Sequence, residues 1–193
     1  MVAVVGIDPS LVMTGLACSD GLRLFVRRVG THPSPPTVGG KLFRLRTIVE
    51  EVLAFAPAEC MTVIEAPVVA HAGAAGGLFD RAGLYWMLVD RLWERGPVVS
   101  VQPATRAIYA AGNGNASKDE VLESMRSRPP GISIRDDNIA DALALAAMGA
   151  RWLGRPFDGE LPFKVLRAMA TPRWPDADDP RPFTLEAEEA TGD

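Results

Sequence analysis

The chain opens on an unbroken apolar, β-branched run, VAVVGI at 2–7, that stops at Asp8. A short run without polar alternation predicts a buried strand. Two more strands are predicted around 14–19 and 22–29, joined by Ser19-Asp20-Gly21, which is hairpin chemistry. The loop 31–37 (THPSPPT) follows, its prolines denying the backbone its donors. From about 40 to 55, Leu42, Leu45, Val49, Val52 and Leu53 fall at helical spacing. The run 61–65 (MTVIE) repeats the opening pattern, an apolar strand ending in a carboxylate. A glycine-rich stretch at 72–77 leads to a helix over 78–95, then a buried strand at 97–101 closed by Gln102-Pro103.

Ser117 and Glu120 stand as N-cap and N3 of a capping box, predicting a helix to about 126. The last strong element, 137–153, carries Ala142, Leu143, Leu145, Ala146 and Met148 and predicts a closely packed helix. The order is three strands, helix, strand, helix, strand, helix, helix. A strand meander followed by strand–helix alternation predicts an α/β fold, a mixed five-stranded sheet with helices on both faces. Residues 1–155 are expected to form the domain. Residues 156–193 form a C-terminal extension whose end, from Pro172, is acidic, proline-rich and expected to be disordered or loosely docked.

The composition, 48% hydrophobic and 23% charged over 193 residues, is that of a globular protein with one core. No apolar run approaches the roughly 20 residues that span a bilayer, and no basic stretch precedes the N-terminal apolar residues. Cys18, Cys60, His32 and His71 are scattered, which speaks against structural zinc and disulfides and for a reducing cytoplasm. The net charge of -4 hides an uneven distribution: residues 171–193 hold seven acids against Arg173 and Arg181, leaving 17 acids and 18 bases before them. Charge thus neither demands nor excludes nucleic acid.

Candidate chemistry gathers where strands end. Sheets of this kind place sites at the carboxyl ends of parallel strands, where Asp8 and Glu65 are expected. Asp137, Asn138 and Asp141 occupy i, i+1 and i+4 of the last helix, so Asp141 can share a face with either neighbour. Each has an ordinary explanation: Asp8 before Pro-Ser suits a turn, and Asp136 and Asp137 suit a helix N-terminus. Glu65 at the end of Thr62-Val63-Ile64 is costly to bury without a partner, and Asp141 lies a turn inside an apolar helix. Converging carboxylates need a cation, and oxygen-only ligands favour magnesium or manganese. Two such ions are a known device for hydrolysing phosphodiesters.

Four segments in order resemble the RuvC-like Holliday-junction resolvases of the ribonuclease H-like superfamily: GIDPSLVMTGLA (6–17), TVIEAP (62–67), Pro103 through Val121 ending in GNGNASKDEV, and NIADALALA (138–146). The resemblance covers most of residues 1–153. It implies a ribonuclease H-like fold and a structure-selective endodeoxyribonuclease making paired nicks in four-way junctions and other branched DNA, with 5′-phosphate and 3′-hydroxyl products. It also implies two Mg2+ ions per site, with Mn2+ able to substitute, held by Asp8, Glu65, Asp141 and a fourth ligand. Lys118, and less directly Arg106, would meet DNA phosphate. A homodimer is expected, two-fold symmetry placing one site on each strand, with the apolar helix at 78–95 either at that interface or buried centrally.

Departures from the family pattern are specific. Asn138 stands where the family has its penultimate carboxylate, so either Asp137 or Asn138 fills the fourth position, Asp137 being preferred. Ser10 replaces a glycine, and Val68 and Val69 stand where some members carry a junction-stacking aromatic. The shortened motifs look more like the phage branch. Competing readings are a small RuvC-like pre-ribosomal-RNA nuclease, a catalytically silent junction-binding module and a ribonuclease H-like phosphotransferase or ATPase.

Overall fold

The computed structural model describes residues 2–68, 77–128 and 131–175. Three strands, β1 (Ala3–Asp8), β2 (Met13–Ser19) and β3 (Leu24–Gly30), form an antiparallel meander. Helix α1 (Val38–Phe55) crosses to β4 (Cys60–Glu65), and α2 (Leu78–Trp93) crosses to β5 (Val98–Val101). Both added strands run parallel to β1, giving the sheet order β3-β2-β1-β4-β5. Helices α3 (Pro103–Ala111), α4 (Lys118–Arg126), α5 (Asp137–Trp152) and α6 (Phe163–Leu166) follow, with a 3-10 turn at Arg167–Ala170. The expected mixed five-stranded sheet is therefore present.

Strand alternation divides the interior into two layers. On one face, Val5, Ile7, Leu16, Cys18 and Ile64 pack with Ile48, Val49 and Val52 of α1 and Leu84, Leu88 and Leu92 of α2. On the other, Val4, Ala17, Met61 and Val63 meet α5, whose residues 139–150 are all buried, together with Tyr109, Val121 and Met125 from α3 and α4. Small residues set how closely α5 lies on the sheet. A Cβ on Gly6 would stand 2.1 Å from the Ala142 carbonyl oxygen, and one on Gly15 would stand 2.0 Å from that of Asn138.

Helix α3 differs from the sequence expectation. Gln102-Pro103 does not merely close β5; Gln102 is the N-cap and Pro103 the first residue of α3. Proline suits that position, where its missing N–H would have no helical partner. The capping box on Ser117 and Glu120 forms as expected.

The described part of the C-terminal extension joins the second layer through Val165 and Ala168. A buried polar network ties it down: the Tyr109 hydroxyl donates to Asp158 Oδ2 at 2.7 Å and accepts from Arg151 Nε at 3.0 Å. Arg151 also reaches Asp158 Oδ1 at 2.6 Å. Trp174, within the stretch expected to be loose, stacks on Trp152 at 5.3 Å and donates to the Met169 carbonyl. The acidic residues from Asp176 onward lie outside the described residues, as do His71 and Val69. Cys18 and Cys60 are buried and free. No helix among the described residues is long and apolar enough to cross a membrane.

Candidate active site

The site forms where β1 and β4 end and α5 begins. Ile7 and Ile64 are paired in the parallel register, so Asp8 and Glu65 follow side by side at the strand ends. Asp8 is paired with Gly15 across the meander. Thr14, fully buried, fixes the turn beyond Asp8: its hydroxyl donates to the Ser10 carbonyl at 2.8 Å and accepts from the Ser10 amide at 3.1 Å. Gly15 then lets the first turn of α5 approach the β2 backbone. The Thr-Gly pair of the first motif thus acts through backbone geometry, bringing Asp141 to the ends of the central strands.

Asp136 caps α5, accepting from the Ile139 amide at 3.1 Å, and pairs with Arg28 at 3.0 Å. It is a helix-end charge, as the sequence suggested. Asp137, the first residue of α5, pairs with Lys118 at the start of α4. Lys118 holds Asp137 below the usual carboxylate range, while the hydrogen bond to Asp137 raises the lysine. Asn138 directs its amide nitrogen to Asp136 and Asp137 at 3.5 and 3.4 Å.

The least expected placement is that of Arg106. Its Nε lies 2.7 Å from Glu65 Oε2 and its Nη1 2.6 Å from Asp141 Oδ1, and all three side chains are largely buried. The residue expected at DNA phosphate instead lies inside the carboxylate cluster, because α3 starts directly after β5, the neighbour of β4. The charges of Glu65 and Asp141 keep the guanidinium above its ordinary value against the opposing effect of burial.

Even so, the cluster is short of positive charge. Burial, followed by the charges of Glu65 and Asp141, pushes Asp8 up to about 8. Burial raises Asp141 to about 7, against the opposing pull of Arg106 and with help from Glu65 and Asp137. Buried carboxylates raised further by their neighbours are the chemistry of a hard-cation site, and the oxygen-only chemistry of Asp8, Glu65, Asp137 and Asp141 would suit a divalent ion. As they stand, no three Asp, Glu, His or Cys side chains among the described residues are grouped to hold an ion; Arg106 occupies Glu65 and Asp141. Beside Glu65 opens a cavity of about 200 Å³ whose wall includes Pro9, Arg81 and Tyr85. Sequence reasoning did not single out Arg81, whose only signal is its place in the first turn of α2.

No family model matches the chain. A 54-residue segment is 44% identical to the crossover junction endodeoxyribonuclease RuvC of Prochlorococcus marinus, spanning 28% of this chain and 35% of that protein. Thermus thermophilus RuvC, solved in complex with a Holliday junction substrate, superimposes with a TM-score of 0.57 at 23% identity over 80% of this chain and 98% of its own. A second Thermus thermophilus RuvC structure gives 0.50 at 25% identity, covering 79% and 97%. The yeast mitochondrial Holliday junction resolvase Ydc2 gives 0.52 at 12% identity over 79% of each chain. Over about four fifths of its length the chain shares the fold of these solved Holliday-junction resolvases, and over a 54-residue segment it is similar in sequence to a RuvC endonuclease of which it covers about a third.

Proposed function

We propose that the chain is a metal-dependent, structure-selective endodeoxyribonuclease that resolves Holliday junctions and other branched DNA by paired nicks. The observation that carries this reading is the convergence of Asp8, Glu65 and Asp141 from two parallel strand ends and one helix, beside Arg106 and Lys118. Asp8, Glu65, Asp137 and Asp141 are the proposed ligands of two Mg2+ ions, with Mn2+ able to replace them. When bound, such ions supply Lewis acidity to a phosphodiester and its attacking water. The chain's own residues do the rest. The central strands and α5 fix the carboxylates rigidly, and Lys118, mostly exposed at the head of α4, can leave Asp137 for a DNA phosphate. Arg81, on the wall of the cavity beside Glu65, is a second cation for the backbone there.

We assign Asp137 the fourth ligand position, since it shares a face with Asp141 while Asn138 turns its donor nitrogen toward its acidic neighbours. The chain is proposed to act as a homodimer in a reducing compartment, the cytoplasm. The test is cleavage of a synthetic four-way junction in Mg2+ or Mn2+. Wild type should give paired nicks, while Asp8→Asn, Glu65→Gln and Asp141→Asn should each lose at least about a hundredfold in rate. Asp137→Asn should share that loss. Tight junction binding without cleavage by wild type would instead indicate a binding module, a reading favoured by Arg106 already occupying two of the carboxylates.

A further inference from the structure

The two buried ion pairs of Arg106 are arranged as a cation's would be. One guanidinium bridges carboxylates from separate elements, β4 and α5, and its side chain is only 12% exposed. An arginine cannot relieve a crowded positive site by giving up its proton, as a lysine can. A divalent ion arriving at Glu65 and Asp141 would therefore meet a fixed positive charge on the oxygens it needs. Either the ion stays out or the guanidinium moves. Arg106 closes the first turn of α3, an element anchored by buried Thr105, Ala107, Tyr109 and Ala110. The movement therefore falls on the side chain rather than the helix.

We propose that Arg106 is a displaceable internal cation: it holds Glu65 and Asp141 together in the metal-free protein, leaves them when a divalent ion binds, and so sets how much metal the site requires. This inference rests on the metal site proposed above. It makes Arg106 a positioning residue, acting through the carboxylates it orients. It also gives binding an order, since the guanidinium is free to meet phosphate only after metal has released it.

The experiment is calorimetric titration of the full chain with Mn2+, comparing wild type, Arg106→Gln and Arg106→Lys, alongside thermal unfolding in chelator and in saturating Mn2+. Arg106→Gln should bind Mn2+ roughly tenfold more tightly than wild type, with Arg106→Lys between them, since lysine makes one point contact in place of two. In chelator Arg106→Gln should unfold at a lower temperature, its carboxylates having lost their partner, and Mn2+ should close that gap. Equal or weaker Mn2+ binding by Arg106→Gln would overturn the proposal. Should that variant not fold, Arg106→Lys decides: affinity no higher than wild type overturns it. Absence of Mn2+ binding by all three proteins would instead remove the metal site itself.

Discussion

Asp8 carries an energetic cost that the fold must meet elsewhere. Its carboxyl titrates at about 8 in the folded chain against an ordinary 3.8, burial being the first cause and Glu65 the second. A group whose folded value is raised favours the folded state while protonated. That contribution is complete below the unfolded value and is lost as pH rises toward 8. Metal-free protein should therefore lose stability between about pH 4 and pH 8, by on the order of a few kcal/mol. Asp141, raised to about 7, adds to the same trend. Asp8→Asn should be more stable than wild type in chelator at pH 8 and equally stable at pH 4, as read by urea denaturation across that range. Parallel pH profiles for the two proteins would contradict this. The same substitution should abolish cleavage, so stability and activity would move in opposite directions.

At the scale of elements, the contact of α5 with the sheet decides whether the carboxylates meet. The backbone of Asn138 lies where a Cβ on Gly15 would go, and the clash is with main chain, which cannot rotate aside. Gly15→Ala should destabilise the protein by roughly 1–3 kcal/mol or more, as overpacking does. It should also reduce cleavage at temperatures where the variant remains folded, since α5 carries Asp137 and Asp141. Thermal unfolding and junction cleavage at low temperature test both effects, and unchanged activity would show that α5 has room to adjust. Much of this layer was legible in the sequence. The apolar runs at 2–7 and 61–65 each stop at a carboxylate, and Asp141 interrupts a buried helix, so the anomalies marked themselves. Helix α3 was less legible because it is only nine residues long and buries threonine, alanine and tyrosine rather than large aliphatic side chains, so its clearest helical signal is Pro103 at the start. The pairing of Arg106 with Glu65 and Asp141 had no local signature. It follows from β5 lying beside β4, which is a property of strand order rather than of any segment.

Among the described residues of the molecule, α2 exposes an apolar side. Phe79, Trp86 and Trp93 of α2 recur at intervals of seven, one face of a helix, and are 87%, 65% and 41% exposed. The opposite side, Leu84, Leu88 and Leu92, is buried against the sheet. The sequence left open whether this helix is central or at an interface; one apolar face is buried in the core and the other is exposed. A second copy is the proposed occupant, since a four-way junction presents two strands for cutting. Trp86→Glu should leave the fold intact, convert a dimeric mass to a monomeric one by light scattering, and turn paired nicks into uncoupled single ones. A wild-type chain that is monomeric at the concentrations used for cleavage would refute the interface.

The placement of β1 at the centre of the sheet also bears on how the protein is made. Asp8 leaves the ribosome well ahead of residues 65 and 141, with which it shares the cluster, and the helix covering its strand ends only at Trp152. Contacts so distant along the chain form late. A nascent polypeptide thus emerges with β1 lacking one neighbour and its cover, and with no assembled carboxylate cluster until α5 has been made.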